Sequence, residues 1–380
     1  MSLTRWLSER LGLSRIRELA ARPASPRKRP TFRPTLEALE ERWVLSTLTV
    51  LNNLDSGRGS LRADIAAAHN GDTIVFASTL VGGQTITLTS GELLIKKNLT
   101  IAGPGASQLT ISGNNASRLF EGASKENVTL SGLTISDGAA PGVGQAGEGA
   151  GILNHGTLTV SGSTLSGNSA GLGGGILNDG TLTVSNSTLT GNSAAQGGGI
   201  NNDGTLTVSG STLSSNVGLD SVSYGGGIQN YGTLTVSGSI LSGNSAWRGG
   251  GIWNGGTATV SGGSTLSGNS ASFGGSGGGI LNDGTLTVSN STLTGNSASY
   301  FGGGILNDGT LTVSGSTLSG NSAASAGGGI YNDGTVTVKN SSSITGNTAP
   351  VGFGADIYNL GVLYLDSTSI IGILDGIPAT

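Results

Sequence analysis

GGGILNDGTLTVSNSTLTGNSA occupies residues 173–194, and the same 22 letters return unchanged at 277–298. Close variants fill most of 149–349. Within GTLTVS the letters alternate strictly, so Leu182 and Val184 point one way and Thr181 and Thr183 the other. Ile176 and Leu189 supply further inward positions. Three short strands separated by turns in about 24 residues predict one coil of a parallel β-helix. The strands are β-branched, broken by Gly and too short for helices, which excludes leucine-rich and tetratricopeptide repeats.

Spacing supports this reading. The isoleucines of the GGGI-type elements fall at 152, 176, 200, 228, 252, 280, 305, 330 and 357. From each Ile to the Asn of the following Gly-Asn pair the distance is 16 or 17 residues, whereas from that Asn to the next Ile it varies from 8 to 12. Two-thirds of each repeat is therefore rigid and one corner accepts insertions. Two Asn columns, beginning at Asn154 and Asn168, are placed to form hydrogen-bonded ladders between coils. Gly in GGGI and Asp-Gly is expected to supply positive φ at the corners. The reading is all-β: a single-stranded right-handed parallel β-helix of ten or eleven coils, each 24–28 residues long.

Composition agrees. Gly is 70 of 380 residues, and charged residues are only 11%, less than half the usual ~25%. Like charges stacked on successive coils repel, so a stacked architecture suppresses them. There is no Cys, which removes disulfides and Cys-ligated metals. Between 150 and 350 the basic residues are Arg248 and Lys339 alone, too few for a nucleic-acid partner.

The ends differ from the middle. Residues 1–45 hold ten Arg or Lys and five Asp or Glu, leaving eight basic and seventeen acidic residues beyond. Residues 1–46 are expected to be a basic targeting leader, helical or disordered, without the apolar run of a standard secretory signal. No apolar stretch is long enough for a transmembrane helix. Residues 47–83 read as an N-terminal cap: a strand at 48–51, a short helix near 60–68 with Ser60 as N-cap and Leu61, Ile65 and Ala68 on one face, and a strand at 73–77. Residues 84–148 read as irregular first coils, 149–360 as the regular repeats and 361–380 as a closing coil.

Several stretches resemble known families. RPTLEALEERWVLS (33–46) resembles the LEPR-XLL-type motif of planctomycete surface and secreted proteins, with Ala38 and Leu39 at the Pro-Arg pair; this implies extracellular or envelope placement. GSLRADI (59–65) resembles the CSLREA-type motif that precedes bacterial parallel β-helices, with Gly59 at its Cys. The early coils resemble pectate-lyase-like proteins. GGGI with LxGN is similar to the repeats of chlamydial polymorphic outer-membrane proteins, with Gly for Ala and Leu for Phe. The resemblance implies an adhesin-like surface role, although the C-terminal barrel of that family has no counterpart here.

Functional expectations follow from where the copies disagree. The variable corner collects Tyr224, Trp247, Arg248, Phe273, Tyr300, Phe301 and Phe353, a candidate face for a polysaccharide or another cell-envelope component. Asp179, Asp203, Asp283, Asp308 and Asp333 recur in Asn-Asp-Gly turns; turn chemistry accounts for them, and weak Ca²⁺ bridging is the one cofactor they suggest. No catalytic residue is assigned. A polysaccharide lyase is the enzymatic alternative, which Arg248 and Lys339, far apart in sequence and without an acidic cluster beside them, serve poorly. Eight outward Thr-x-Thr pairs would form a hydroxyl grid of about 4.8 Å by 6.6 Å, an ice- or crystal-binding alternative. His69 and His155 stand isolated, with no expected role. The favoured reading is a non-catalytic, exported or cell-surface rod.

Overall fold

The computed structural model describes residues 45–142 and 147–379; the expected leader lies outside these residues except for its last two, and so does the side chain of Phe273. All the sheets are parallel. A representative coil runs through Ile176–Asn178, Thr181–Ser185, Thr188–Thr190 and Ser193–Gln196. Each strand pairs with its counterpart one coil on, Ile176 with Ile200, Leu182 with Leu206 and Leu189 with Leu213. The result is a right-handed β-solenoid of about 13 turns.

Two expectations need correction. Ten or eleven coils is an undercount, because Thr47–Val50, Asp72–Phe76 and Val362–Leu365 all join the same thirteen-stranded sheet as the Thr-Leu-Thr-Val strands. Three strands per coil is also too few. Most of the Ser-Ala pairs that follow Gly-Asn join a fourth, eight-stranded sheet, with Ala139–Ala140 and Val217–Gly218 in two other coils; their alanines are buried at Ala194, Ala246 and Ala271.

The core is one continuous stack. Ile176, Leu182, Val184 and Leu189 are each 0% exposed, as are their equivalents in most coils. Where water is excluded, turn polar groups must find partners inside the protein. Asn154 donates from Nδ2 to Oδ1 of Asn178, and the pattern repeats through Asn359 at 2.6–2.8 Å. The second column runs from Asn168 to Asn347 at 2.8–3.0 Å. In it each backbone N–H also donates to the next Asn Oδ1, as Asn192 does to Asn216 at 3.1 Å. A third column is made of serines: the N–H groups of Ser163 and Ser187 donate to Oγ of Ser187 and Ser211, both at 3.1 Å.

Glycine has two distinct jobs. Gly173, the first of GGG, has φ +61°, which only Gly adopts without strain. The Asp-Gly glycines do not share that conformation, contrary to expectation. A Cβ on Gly180 would instead collide with the carbonyl oxygen of Gly156 one coil below. Close stacking of turn backbones, rather than left-handed geometry, requires Gly there.

The N-terminal end is covered by α1 (Leu61–Ala67), lying between β1 (Thr47–Val50) and β2 (Asp72–Phe76). Ser60 Oγ accepts the Ala63 N–H at 3.2 Å, and Leu61, Ile65 and Ala68 are buried in the core. The Arg62 guanidinium bonds Asp55 at 2.8 Å and the carbonyls of Gly91 and Glu92 at 2.7 Å each. These bonds tie α1 to the approach of Leu93–Ile95, the first strand of the Ile-Leu-Asn sheet.

Asn269→Ala would strip partners from the buried Asn244 N–H and the Leu241 carbonyl. It is expected to lower unfolding free energy by about 2–3 kcal/mol, whereas Thr257→Ala on the outer face of the neighbouring sheet costs under about 1 kcal/mol. Chemical denaturation of both variants checks the difference.

Candidate binding groove

The GGG corner bends the chain inward, so the residue before it and the middle residue of the following Ile-x-Asn strand meet on the outside of the solenoid. The residues before GGG pair in register: Gln196 with Tyr224, Tyr224 with Arg248, Arg248 with Ser276, and Phe301 with Ala326. Beside them runs a second column, in which Gln229 pairs with Trp253, Trp253 with Leu281, Leu306 with Tyr331 and Tyr331 with Tyr358. The turn position after the ladder Asn forms a third column, containing His155, all five aspartates of the Asn-Asp-Gly turns, and Tyr231.

Alternation places the second column outward, yet Leu177, Leu281 and Leu306 are 2%, 1% and 6% exposed. Leu281 and Leu306 are covered from the side: with Trp253 they form a small apolar cluster of their own, and Tyr224, Phe301 and Tyr331 pack on it. The solenoid thus carries a second, external apolar seam.

The rings divide into two groups. Tyr224 lies edge-on to Trp247 at 6.0 Å and to Trp253 at 5.5 Å, while Tyr231 meets Trp253 at 4.8 Å. Further along, Tyr300 meets Phe301 at 4.3 Å, Phe301 stacks on Tyr331 at 4.5 Å, Tyr331 on Tyr358 at 5.7 Å, and Phe353 lies 6.0 Å from Tyr358. Packing of the corner rings on one another therefore accounts for part of their placement. Tyr300 and Phe353 nevertheless remain about half exposed, at 49% and 47%.

Against the second group lies a groove of about 360 Å³, lined by Arg248, Tyr300, Phe301, Asp308, Tyr331 and Asp333 among others. Here the corner residues and the aspartate column, separate features in the sequence, come together. Arg248 lies over the Trp247 ring, 4.4 Å from its centroid, and its charge also reaches Asp283 and Asp308. Arg248 thus shares one groove with Asp308 and Asp333, although no carboxylate among the described residues lies within ion-pair distance of it.

Burial pushes the Asp308 carboxyl above its ordinary range, and the charges of Asp283 and Asp333 add to the effect against the opposing pull of Arg248. Burial also raises Asp283, partly offset by the Trp253 indole and Arg248. Asp203 rises through burial and Asp179, and the Tyr331 phenol rises through burial and Asp333. His155 proves not to be isolated: its Nδ1 lies 2.8 Å from Asp179, one coil on in the same column. His69 likewise sits 3.7 Å from Asp72.

Sequence reasoning missed Trp253, Tyr231, Tyr331 and Tyr358. Their signal was present in the Ile-x-Asn triplet, whose flanking residues point inward and whose centre therefore points out. A second cleft, of about 390 Å³, lies on the early coils. There the buried Arg118 Nη1 holds Glu92 at 2.8 Å and Glu121 at 2.9 Å. Burial raises Glu92 against the pull of Arg118, and the arrangement reads as a structural triad of one guanidinium shared by two carboxyl groups. Among the described residues no three His, Asp or Glu side chains gather closely enough to hold a metal ion, and no helix is long and apolar enough to cross a membrane.

The chain matches no protein-family model and no curated protein.

Because Asp308 holds its proton more tightly when folded, its contribution to stability falls as pH rises through the interval above about 3.9. Asp308→Asn removes that penalty. Its melting temperature is expected to exceed the parent's at neutral pH, with the gap closing below about pH 3.9; thermal melts across this range check the sign.

Proposed function

We propose that this protein is an exported or cell-surface rod that binds polysaccharide along the corner groove. The observation that carries the reading is the groove at Arg248, Tyr300, Phe301, Asp308, Tyr331 and Asp333. Sugar-binding surfaces combine flat apolar faces, which stack on pyranose rings, with fixed polar groups that take their hydroxyls. Both kinds of group line this groove, Arg248 and Tyr331 on strands and Asp308 and Asp333 in turns that follow the Asn ladder, so little order is lost on binding. The extracellular or envelope setting is supported by the likeness of residues 33–46 to a surface-protein motif. Ca²⁺ bridging neighbouring aspartates is a weak accessory to the same reading.

A polysaccharide lyase is the second reading, and the presence of Arg248, Asp308 and Asp333 in one groove is what favours it. A lyase needs a base to take a proton. A guanidinium has only donors and no acceptor, so Arg248, held over the Trp247 ring, orients or neutralises rather than abstracts. Binding without cleavage is the better account.

A glycan array on the full chain is expected to return carbohydrate ligands, with no unsaturated products on prolonged incubation. Tyr300→Ala combined with Tyr331→Ala is expected to weaken binding about tenfold or more while leaving the β-rich circular dichroism unchanged. Unaltered affinity in this variant, or an array with no ligand, would sink the reading.

A further inference from the structure

We propose that the polymer taken by this groove is cationic, a polysaccharide of amino sugars whose ammonium groups pair with Asp283, Asp308 and Asp333 on successive coils. This rests on the polysaccharide reading above and narrows it to one charge class.

The three carboxylates are in register. Asp308 and Asp333 each donate a backbone N–H at 2.9 Å to the ladder Asn carbonyl one coil below, so the three stand one coil step of about 4.8 Å apart. That spacing would be disfavoured for like charges in isolation, and both Asp283 and Asp308 are lifted above the ordinary carboxylate range. Arg248 is the basic side chain at this groove, at one end of the run. The other basic residue of the repeats, Lys339, belongs to the Thr-Leu-Thr-Val sheet. Asp308 and Asp333 line the groove with Arg248, and Asp283 precedes them in the same column; three acids in that column against one base disfavour an anionic polymer and leave negative charge for a cationic one to neutralise.

One further observation points to a ring-bearing ligand rather than to bare positive charge. Phe301 and Tyr331 line the same groove and stack on each other, with Tyr358 stacked beyond Tyr331, a platform on which pyranose faces lie while their substituents reach the adjoining acids.

The test is calorimetric titration of the full chain with a glucosamine oligosaccharide, its fully N-acetylated counterpart and an oligolysine of equal charge, at low and at physiological salt. The glucosamine polymer is expected to bind about tenfold tighter than the acetylated one, with the gap narrowing as salt rises. In the Asp308→Asn, Asp333→Asn double variant the gap is expected to vanish, while Tyr331→Ala weakens both sugars. Circular dichroism confirms that both variants are folded. Equal or tighter binding of the acetylated polymer overturns the charge assignment and leaves the polysaccharide reading standing. Oligolysine binding as tightly as glucosamine overturns the sugar assignment. No binding of either sugar, with ligands of another class on the array, rejects this inference alone; an empty array rejects both.

Discussion

A side-chain amide buried between two turns must donate to something, and in this chain the nearest acceptor is the same amide one coil away. That constraint governs the rest of the structure. Asn178 reaches Asn202 only if the two coils are in register, and its Nδ2 also bonds the Gly180 carbonyl within its own turn. Register and turn shape are therefore fixed by the same atom. A slip of one residue would unpair both ladders and also turn Leu182 and Val184 to solvent. The apolar core alone would tolerate many packings; the polar columns leave one.

Such columns must end somewhere, and the ends explain residues that break the repeat. Asp356 stands where the third Gly of GGG is expected. Its Oδ1 accepts both the Asn347 N–H and Nδ2, at 2.9 and 2.8 Å, and its Oδ2 takes the Ile373 N–H. A carboxylate accepts on both oxygens and donates nothing when ionised, so it can close a run of donors without opening another. The other column closes on a backbone carbonyl, Ile377, at 2.7 Å. At the opposite end, α1 replaces further strands, and the N-cap and apolar face that reveal it in the sequence are the groups that make it fit.

What could be read from the sequence follows the same logic. Alternation finds Leu182 and Val184 because one face meets oil and the other water. The Asn columns were legible because nothing else requires Asn at a constant 24–28 residue spacing. The fourth sheet was not, because a strand of two residues such as Ser297–Ala298 has no period to detect. Gly180 was assigned the wrong cause, since a turn that needs positive φ and a turn pressed against its neighbour both select Gly. The aromatic seam escaped for a different reason. Trp253 and Tyr331 lie outward by alternation, and outward positions are ordinarily wet; that the GGG bend folds the corner over them is a property of three dimensions. The corner residues were found by variability alone, without Trp253, Tyr331 and Tyr358, against which they pack.

The architecture also decides where chemistry can reside. Every inward position is held by stacking above and below, so a charge or a large ring there would be carried against two neighbours at once. The groove is the place where coils tolerate difference: the column before GGG holds Gln196, Tyr224, Arg248, Ser276 and Phe301 in five successive coils, while the ladder beside it holds only Asn. An array of this kind presents a ligand with one site per coil at a fixed interval. A flexible polymer that matches the interval gains at every coil it covers, because the rod has already fixed the spacing. A small molecule gains from one coil only. Geometry of this kind therefore favours a polymeric ligand over a small one, whatever groups that polymer carries.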